Sequence, residues 1–141
     1  MDEPLEEQRE KVLGDDLLRG NETILLVEDE ESVRKFALRV LERQGYKVLT
    51  ARDGDEALLI CEQFKDPIHL MLTDVVMPGM SGHELAKRLK SLHPKMKVLY
   101  MSGYTDNTIV LHGVLAEGVN YFQKPFTVDA LTKKVREVLE Q

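Results

Sequence analysis

The sequence has one cysteine, few histidines and no long uninterrupted apolar run. A single cysteine cannot form a disulfide within the chain, and this is typical of proteins in a reducing compartment. No apolar run approaches the ~18 residues of a membrane span, and the acidic start lacks the basic region of a signal peptide. The four histidines show no spacing typical of metal ligands. We therefore expect a cytoplasmic protein that makes no membrane contact.

Positive charge is also scarce, because 19 Lys and Arg residues stand against 25 Asp and Glu residues, and the formal net charge is −6. A basic surface for nucleic acid is therefore not indicated, and we expect no nucleic-acid binding by this chain alone. Most of the excess negative charge lies in residues 1–20. We expect an acidic linker or extra helix over residues 1–20 and one domain over residues 21–141.

From Thr23 onward, short apolar runs alternate with amphipathic helical patterns. The apolar runs are too short for helices and predict strands, at about 24–28, 46–51, 68–73, 97–101 and 119–123. The helical patterns predict helices at about 31–44, 54–65, 82–92 and 106–117, and a fifth after Thr127. This alternation predicts an α/β fold, in which helices cover both faces of a parallel sheet.

Residues at the ends of the predicted helices fit known capping patterns. Gly45 fits a C-cap, and Asp53 and Ser81 fit N-caps that are each followed three residues later by Glu. The apolar stripes of these helices predict buried side chains that include Phe36, Cys61 and Leu92.

Carboxylates stand where two of the predicted strands end. Glu28 and Asp29 end the first strand, and Asp74 follows the third, before a Pro-Gly break. Right-handed crossovers bring the carboxyl ends of parallel strands to one edge, where open sheets bind their ligands. Ser102 after the fourth strand and Lys124 after the fifth are expected at that edge too. Asp74 alone could merely cap a loop, but the repeated polar strand endings favour a functional site.

Three carboxylates at one edge require a positively charged partner. Two charges about 4 Å apart repel by about 4 kcal/mol at an effective dielectric constant of about 20. Oxygen ligands without Cys or His favour Mg²⁺ over zinc. Beside Mg²⁺ and Lys124, Asp74 could act as a nucleophile toward a phosphoryl group and form an aspartyl phosphate. The hydroxyl of Ser102 could bind a phosphoryl oxygen, and phosphoryl transfer needs little beyond such positioning and charge neutralisation.

These residues occur in the order typical of one signalling family. The landmarks are Glu28-Asp29, Asp74 with Met77-Pro78-Gly79 behind it, Ser102, Tyr121 and Lys124-Pro125. With them, residues 21–141 resemble a response-regulator receiver domain of two-component signalling, the family of the bacterial chemotaxis response regulator. The resemblance implies a flavodoxin-like, doubly wound sheet of five parallel strands in the order 2-1-3-4-5, with five helices.

The resemblance also implies what the acidic residues do. Asp74 would accept a phosphoryl group from the phosphohistidine of a histidine kinase or from a phosphotransfer protein. Asp29, Asp74 and the backbone carbonyl of Val76 would ligate Mg²⁺, and Glu28 would act nearby, often through water.

Further implied roles concern the phosphoryl group and the switch. Ser102 and Lys124 would bind the phosphoryl group, and the Lys124-Pro125 bond would be cis. Tyr121 would turn inward when Ser102 moves, so the output face would comprise the fourth helix, the fifth strand and the fifth helix. Val76 and Tyr104 stand where the family controls the hydrolytic water, and these residue types predict slow autodephosphorylation.

The predicted fourth helix is apolar around more of its circumference than one buried stripe requires. The residues concerned are Ile109, Val110, Leu111, Val114 and Leu115. Either deep packing of this helix or a partner patch that supports a phosphorylation-dependent dimer would explain the pattern.

Three functions remain open from the residues alone. The first is a phosphoacceptor switch that is not a turnover enzyme, which we favour, with a hybrid sensor histidine kinase as the expected parent. The second is a Mg²⁺-dependent phosphatase of the haloacid-dehalogenase type, but Val76 stands where such enzymes carry a second, acid Asp. The third is an interaction module that is never phosphorylated, for which loss of Asp74 or Lys124 would be the sign.

Overall fold

The computed structural model describes residues 19–103 and 120–141. Five parallel strands form one sheet in the order β2-β1-β3-β4-β5. The strands are β1 (Thr23–Val27), β2 (Lys47–Ala51), β3 (Leu70–Asp74), β4 (Lys97–Ser102) and β5 (Asn120–Gln123). The helices within the described residues are α1 (Glu31–Arg43), α2 (Gly54–Gln63), α3 (Gly82–Lys90) and α4 (Val128–Leu139). The predicted α/β class and strand order are confirmed.

Two predicted segments lie outside the described residues. One is the fourth predicted helix at 106–117, with its apolar side chains, and the other is most of the acidic segment at 1–20. The division of the chain at residue 20 therefore stays a prediction. Within the described ranges, no helix is long and apolar enough to cross a membrane.

The helix ends follow from the capping residues that the sequence supplies. Asp53 Oδ1 accepts a hydrogen bond from the backbone N–H of Glu56 at 2.9 Å, which begins α2. Ser81 Oγ accepts from the N–H of Glu84 at 3.1 Å, which begins α3. Gly45 has a φ of +97°, which L side chains rarely adopt, and it follows the end of α1. The predicted caps are thus confirmed.

Apolar side chains fill both faces of the sheet, as a doubly wound fold requires. All five residues of β1 are buried, because this strand is central and covered on both sides. Leu25 and Val27 pack with residues of α2 and α3, whereas Ile24 and Leu26 pack with residues of α1 and α4. Cys61 is 5% exposed and belongs to the first of these clusters, as its position on the helical stripe predicts.

Three side chains that the helical stripes predict to be buried are exposed, and one of them is Val128, which is 47% exposed at the first residue of α4. Leu92 is 55% exposed because α3 ends at Lys90, so the helical periodicity does not extend to it. Phe36 is 40% exposed, at the edge of the stripe of α1, and its ring centroid lies 5.9 Å from that of Phe126. Phe36 therefore lies against the β5–α4 connection rather than inside the core.

Candidate functional site

The predicted acidic residues meet at the carboxyl edge of the sheet. Asp74 is the last residue of β3, and Glu28 and Asp29 directly follow β1. One carboxylate oxygen from each of these three residues lies within 4.8 Å of the others. Glu28 is fully buried and Asp74 is 4% exposed, whereas Asp29 is exposed. Together they line a cavity of about 480 Å³ that Val76 and Lys124 also line.

Lys124 joins the two buried carboxylates. Its Nζ lies 2.6 Å from Asp74 Oδ1 and 2.8 Å from Glu28 Oε2. Its backbone N–H donates to the carbonyl of Ser102 at 2.8 Å, which holds the residue against the end of β4. The Lys124-Pro125 bond is cis, so that prediction is confirmed.

Burial and mutual repulsion dominate the electrostatics of this site. Burial, followed by the hydrogen bond and charge of Glu28, raises the pKa of Asp74 to about 9, although Lys124 opposes the shift. Burial by itself would lower the pKa of Lys124, but the carboxylates of Asp74 and Glu28 outweigh burial and raise that pKa. The protein alone thus compensates the acidic cluster only in part.

The donor set fits a hard cation. Asp74 Oδ2 is buried and has no hydrogen-bond partner in the described part of the chain. A buried carboxyl oxygen without a donor, beside two further carboxyl groups, is a suitable ligand for an oxygen-coordinated divalent cation, which would displace any proton on it. Glu28, Asp29 and Asp74 can therefore supply ligands to Mg²⁺.

Glu28 is fixed at its backbone as well as at its carboxylate. Its N–H donates to the carbonyl of Ala51 at 3.0 Å, and its own carbonyl accepts from Arg34 Nη1 at 2.9 Å. Its Oε1 accepts from the N–H of Glu30 at 3.0 Å. We did not predict the contribution of Arg34 from the sequence, where the only available signal is an Arg in the first turn of the helix after the acidic pair.

The contacts of the remaining predicted residues say less about their roles. Ser102 ends β4 and is 1% exposed, and its hydroxyl donates weakly to the carbonyl of Gly103 at 3.4 Å. Tyr121 is half-buried in β5, where it pairs with Tyr100. The side chain of Val76 is 42% exposed at the rim of the cavity. Tyr104 lies outside the described residues. The roles of these residues stay predictions.

A second, mainly apolar cavity adjoins the acidic one. It has a volume of about 340 Å³, and its apolar walls come from Val33 and Phe36 of α1 and from Pro125 and Phe126 after β5. The two cavities share Glu30, Gly103 and Lys124 as lining residues. Nothing in the sequence pattern indicates this cavity, because its two walls are distant in the chain.

Comparison with known proteins agrees with this geometry. The family model of the response regulator receiver domain matches residues 24–136. The sensor kinase CckA of Brucella abortus (strain 2308) is 36% identical over 140 residues, covering 99% of this chain and 15% of the kinase. The response regulator receiver protein CpdR of the same strain is 31% identical over 116 residues, covering 82% of this chain and 95% of CpdR.

A solved structure shows the same relationship. The crystal structure of the receiver domain from the hybrid histidine kinase CckA superimposes with a TM-score of 0.69 at 35% identity, covering 83% of this chain and 98% of that domain. Receiver domains typically bind Mg²⁺ at an acidic cluster and interact with histidine kinases or phosphotransfer proteins. The chain therefore belongs to the response regulator receiver domain family, the phosphoacceptor domains of two-component signalling.

Proposed function

We propose that Asp74 is the phosphoacceptor of this domain and that its donor is a phosphohistidine on a histidine kinase or phosphotransfer protein. An Asp74 carboxylate oxygen would bond to phosphorus while the phosphorus–nitrogen bond breaks. The imidazole nitrogen would leave with that electron pair and be protonated from water. The observation that carries this proposal is the Asp74 carboxylate, with one oxygen 2.6 Å from Lys124 Nζ and the other unpartnered within the described chain.

The surrounding residues would neutralise charge rather than transfer protons. We propose that Glu28, Asp29, Asp74 and the backbone carbonyl of Val76 hold Mg²⁺, with Glu28 contributing directly or through water. When bound, Mg²⁺ supplies positive charge to the phosphoryl oxygens. Lys124, whose ammonium already lies at Asp74, would bind one phosphoryl oxygen.

The Ser102 hydroxyl would bind another phosphoryl oxygen. Its hydrogen bond to the carbonyl of Gly103 is long, at 3.4 Å, so moving the hydroxyl toward a phosphoryl group would cost little. Tyr121 would then turn inward, which would change the face made by the fourth predicted helix, β5 and α4. Dimerisation through that face is part of this proposal.

A switch is favoured over a turnover enzyme. In a phosphatase of the haloacid-dehalogenase type, the residue two positions after the nucleophile is an Asp that acts as general acid. Here that residue is Val76, whose side chain cannot transfer a proton. We therefore propose that the domain carries out its own phosphorylation and a slow autodephosphorylation.

The donor protein must approach closely, because Asp74 is 4% exposed. The apolar cavity beside the site supports docking of an apolar side chain from a partner helix. Phe36, which is 40% exposed at this cavity, would contact the partner. Burial of Phe36 against such a partner would contribute part of the affinity, since exposed aromatic residues are frequent anchors of interfaces.

The parent protein is a further part of the proposal. The chain spans 15% of the length of the sensor kinase CckA, and that match covers almost all of the chain, including the acidic leading residues. We propose that the domain functions as the receiver of a hybrid sensor kinase. Its output, and any dimer that it forms, would then depend on phosphorylation of Asp74.

Two phosphodonors test the proposal separately. Acetyl phosphate reports only the chemistry at Asp74, whereas a phosphorylated histidine phosphotransfer protein also requires docking. Asp74→Asn should abolish labelling by both donors. Phe36→Ala should slow transfer from the protein donor and leave labelling by acetyl phosphate unchanged.

The matched control for docking is Leu59→Ala, because Leu59 is 56% exposed on α2, away from the apolar cavity. This variant should behave as wild type with both donors. Labelling of Asp74→Asn by either donor would contradict the chemical assignment. Equal transfer rates for Phe36→Ala and Leu59→Ala would contradict the docking surface.

A further inference from the structure

Arg34 connects the first helix to the acidic loop. Its guanidinium Nη1 donates to the backbone carbonyl of Glu28 at 2.9 Å, and its own N–H donates to the carbonyl of Glu30 at 2.9 Å. The side chain is partly buried in the first turn of α1. Arg34 therefore contacts both ends of the three-residue connection between β1 and α1.

The carbonyl that Arg34 binds belongs to the peptide unit between Glu28 and Asp29. Because a peptide unit is planar, a bond that fixes this carbonyl also fixes the direction in which the chain enters Asp29. Glu28 has other contacts: its N–H donates to the carbonyl of Ala51, and its carboxylate accepts from the N–H of Glu30 and pairs with the ammonium of Lys124. Among the contacts of the described residues, the bond from Arg34 thus links the orientation of Glu28 to that of Asp29.

Because Asp29 is exposed, its position depends on the backbone bond that Arg34 makes. Glu28 is fully buried and is fixed by its surroundings, but Asp29 is exposed. Its carboxylate nevertheless lies with those of Glu28 and Asp74 in a cluster whose oxygens are within 4.8 Å of one another. An exposed side chain that must keep such a position depends on the backbone that presents it.

We propose that Arg34 is a positioning residue of the metal site, which holds the Glu28–Asp29 peptide so that both carboxylates face the same point. The inference rests on the proposed function only in that the acidic cluster holds Mg²⁺. It does not depend on which residue accepts the phosphoryl group. Arg34 acts through the backbone and touches neither the phosphoryl group nor the metal.

The charge of Arg34 and its role in positioning the ligands predict opposite changes in Mg²⁺ affinity when Arg34 is replaced. The guanidinium is a positive charge beside a cation site, so its removal should by charge alone strengthen Mg²⁺ binding. If Arg34 orients the ligands, its removal should weaken Mg²⁺ binding, because residues that support metal ligands typically contribute tenfold or more to metal affinity. The sign of the change therefore separates the two roles.

The experiment is a Mg²⁺ titration of the unphosphorylated chain by calorimetry. Arg34→Ala should raise the dissociation constant about tenfold, and Arg34→Lys, which can still donate one hydrogen bond, should recover part of the loss. Arg39→Ala is the matched control, because Arg39 is an exposed arginine of the same helix. It should leave the affinity at the wild-type value.

A second readout needs no metal. In the metal-free chain, the N–H of Glu30, which donates to Glu28 Oε1, should exchange with solvent faster in Arg34→Ala than in wild type or Arg39→Ala. Arg34→Met, which keeps the apolar part of the side chain, serves the same comparison if the alanine variant does not fold.

The outcomes that overturn the inference are specific. They are an unchanged or tighter Mg²⁺ affinity in a folded Arg34 variant, an equal loss in Arg39→Ala, no recovery in Arg34→Lys, or unaltered exchange at Glu30. A failure of Asp74 to become phosphorylated would affect none of these measurements. The inference and the proposed function can therefore fail independently.

Discussion

The ammonium of Lys124 lies 2.6 Å from the carboxylate of Asp74, although β4 separates the strands that carry these residues to the site. The same ammonium lies 2.8 Å from the fully buried carboxylate of Glu28. One cation thus bridges two buried acids, and its removal leaves their repulsion uncompensated.

Replacement of Lys124 should therefore destabilise the metal-free protein. For Lys124→Met we expect a loss of about 3 kcal/mol in the free energy of unfolding, the range for breaking a buried ion pair. This loss applies above about pH 9, where Asp74 is ionised, and protonation of Asp74 reduces it at lower pH. The measurement is urea denaturation without Mg²⁺ in that alkaline range.

In the same alkaline range, the substitution in an Asp74→Asn background should cost clearly less, because one of the two repelling charges is then absent only from that background. Equal costs in the two backgrounds would show that Lys124 does not interact with Asp74 in solution.

The raised pKa of Asp74 gives stability a specific pH dependence. Burial and Glu28 raise this pKa to about 9 in the fold, whereas an unfolded Asp titrates near about 3.9. Between these values the folded chain retains a proton that the unfolded chain has lost, so stability falls as pH rises from about 4 to about 9. Asp74→Asn lacks this dependence.

We therefore expect metal-free Asp74→Asn to be more stable than wild type by a margin that widens as pH rises through that window. Urea denaturation at about pH 5, 7 and 9 measures the margin. A margin that stays constant or narrows toward high pH would contradict the assigned electrostatics.

The positions of the site residues were predictable because they depend on local pattern and on handedness. An apolar strand that ends in Asp74 or Glu28 is visible in the sequence, and right-handed crossovers bring such ends to one edge. The cluster of Glu28, Asp29 and Asp74 beside Lys124 follows from these two facts.

The surroundings of the site were not predictable in the same way. The contact between Phe36 and Phe126 joins α1 to a loop that is distant in the chain, and no helical pattern indicates it. The bond from Arg34 to the carbonyl of Glu28 involves a backbone atom, and no residue pattern identifies which carbonyl a side chain will bind. Leu92 continues the helical stripe in sequence, but α3 has ended before it.

The lifetime of the phosphoryl group should depend on Val76. Its side chain is 42% exposed at the rim of the acidic cavity and cannot hold a water in line with the phosphorus atom. Val76→Asn would supply a hydrogen bond to that water and should speed autodephosphorylation about fivefold, which corresponds to lowering the hydrolysis barrier by roughly 1 kcal/mol. Loss of label after removal of acetyl phosphate measures the rate, and a variant that decays no faster than wild type would count against the role of this position.

Away from the site, Arg136 of α4 binds Glu22 before β1 through two hydrogen bonds, at 2.6 and 3.2 Å. The side chains are only 14% and 21% exposed, so solvent screens the pair weakly. Arg136→Met should lower the free energy of unfolding by about 2 kcal/mol. Lys134→Met should have a much smaller effect, because its ion pair with Glu137, at 3.5 Å, is more exposed.

The contribution of the Arg136–Glu22 pair to stability should also depend on pH. The hydrogen bond from Arg136 lowers the pKa of Glu22 below its ordinary value. The stabilisation is therefore present above about pH 4.5 and is lost as pH falls through the lowered pKa. The difference between wild type and Arg136→Met should narrow in acid, and a difference that persists unchanged at about pH 3 would contradict the ion pair as its cause.

Labelling of the chain with acetyl phosphate and Mg²⁺, followed by mass spectrometry of the intact protein and of its peptides, tests the assignment of Asp74 most directly. We predict one acid-stable, base-labile phosphate on the peptide that contains Asp74, dependent on Mg²⁺ and absent from Asp74→Asn. A phosphate on any other residue of the wild-type chain, or equal labelling of Asp74→Asn, would contradict the account.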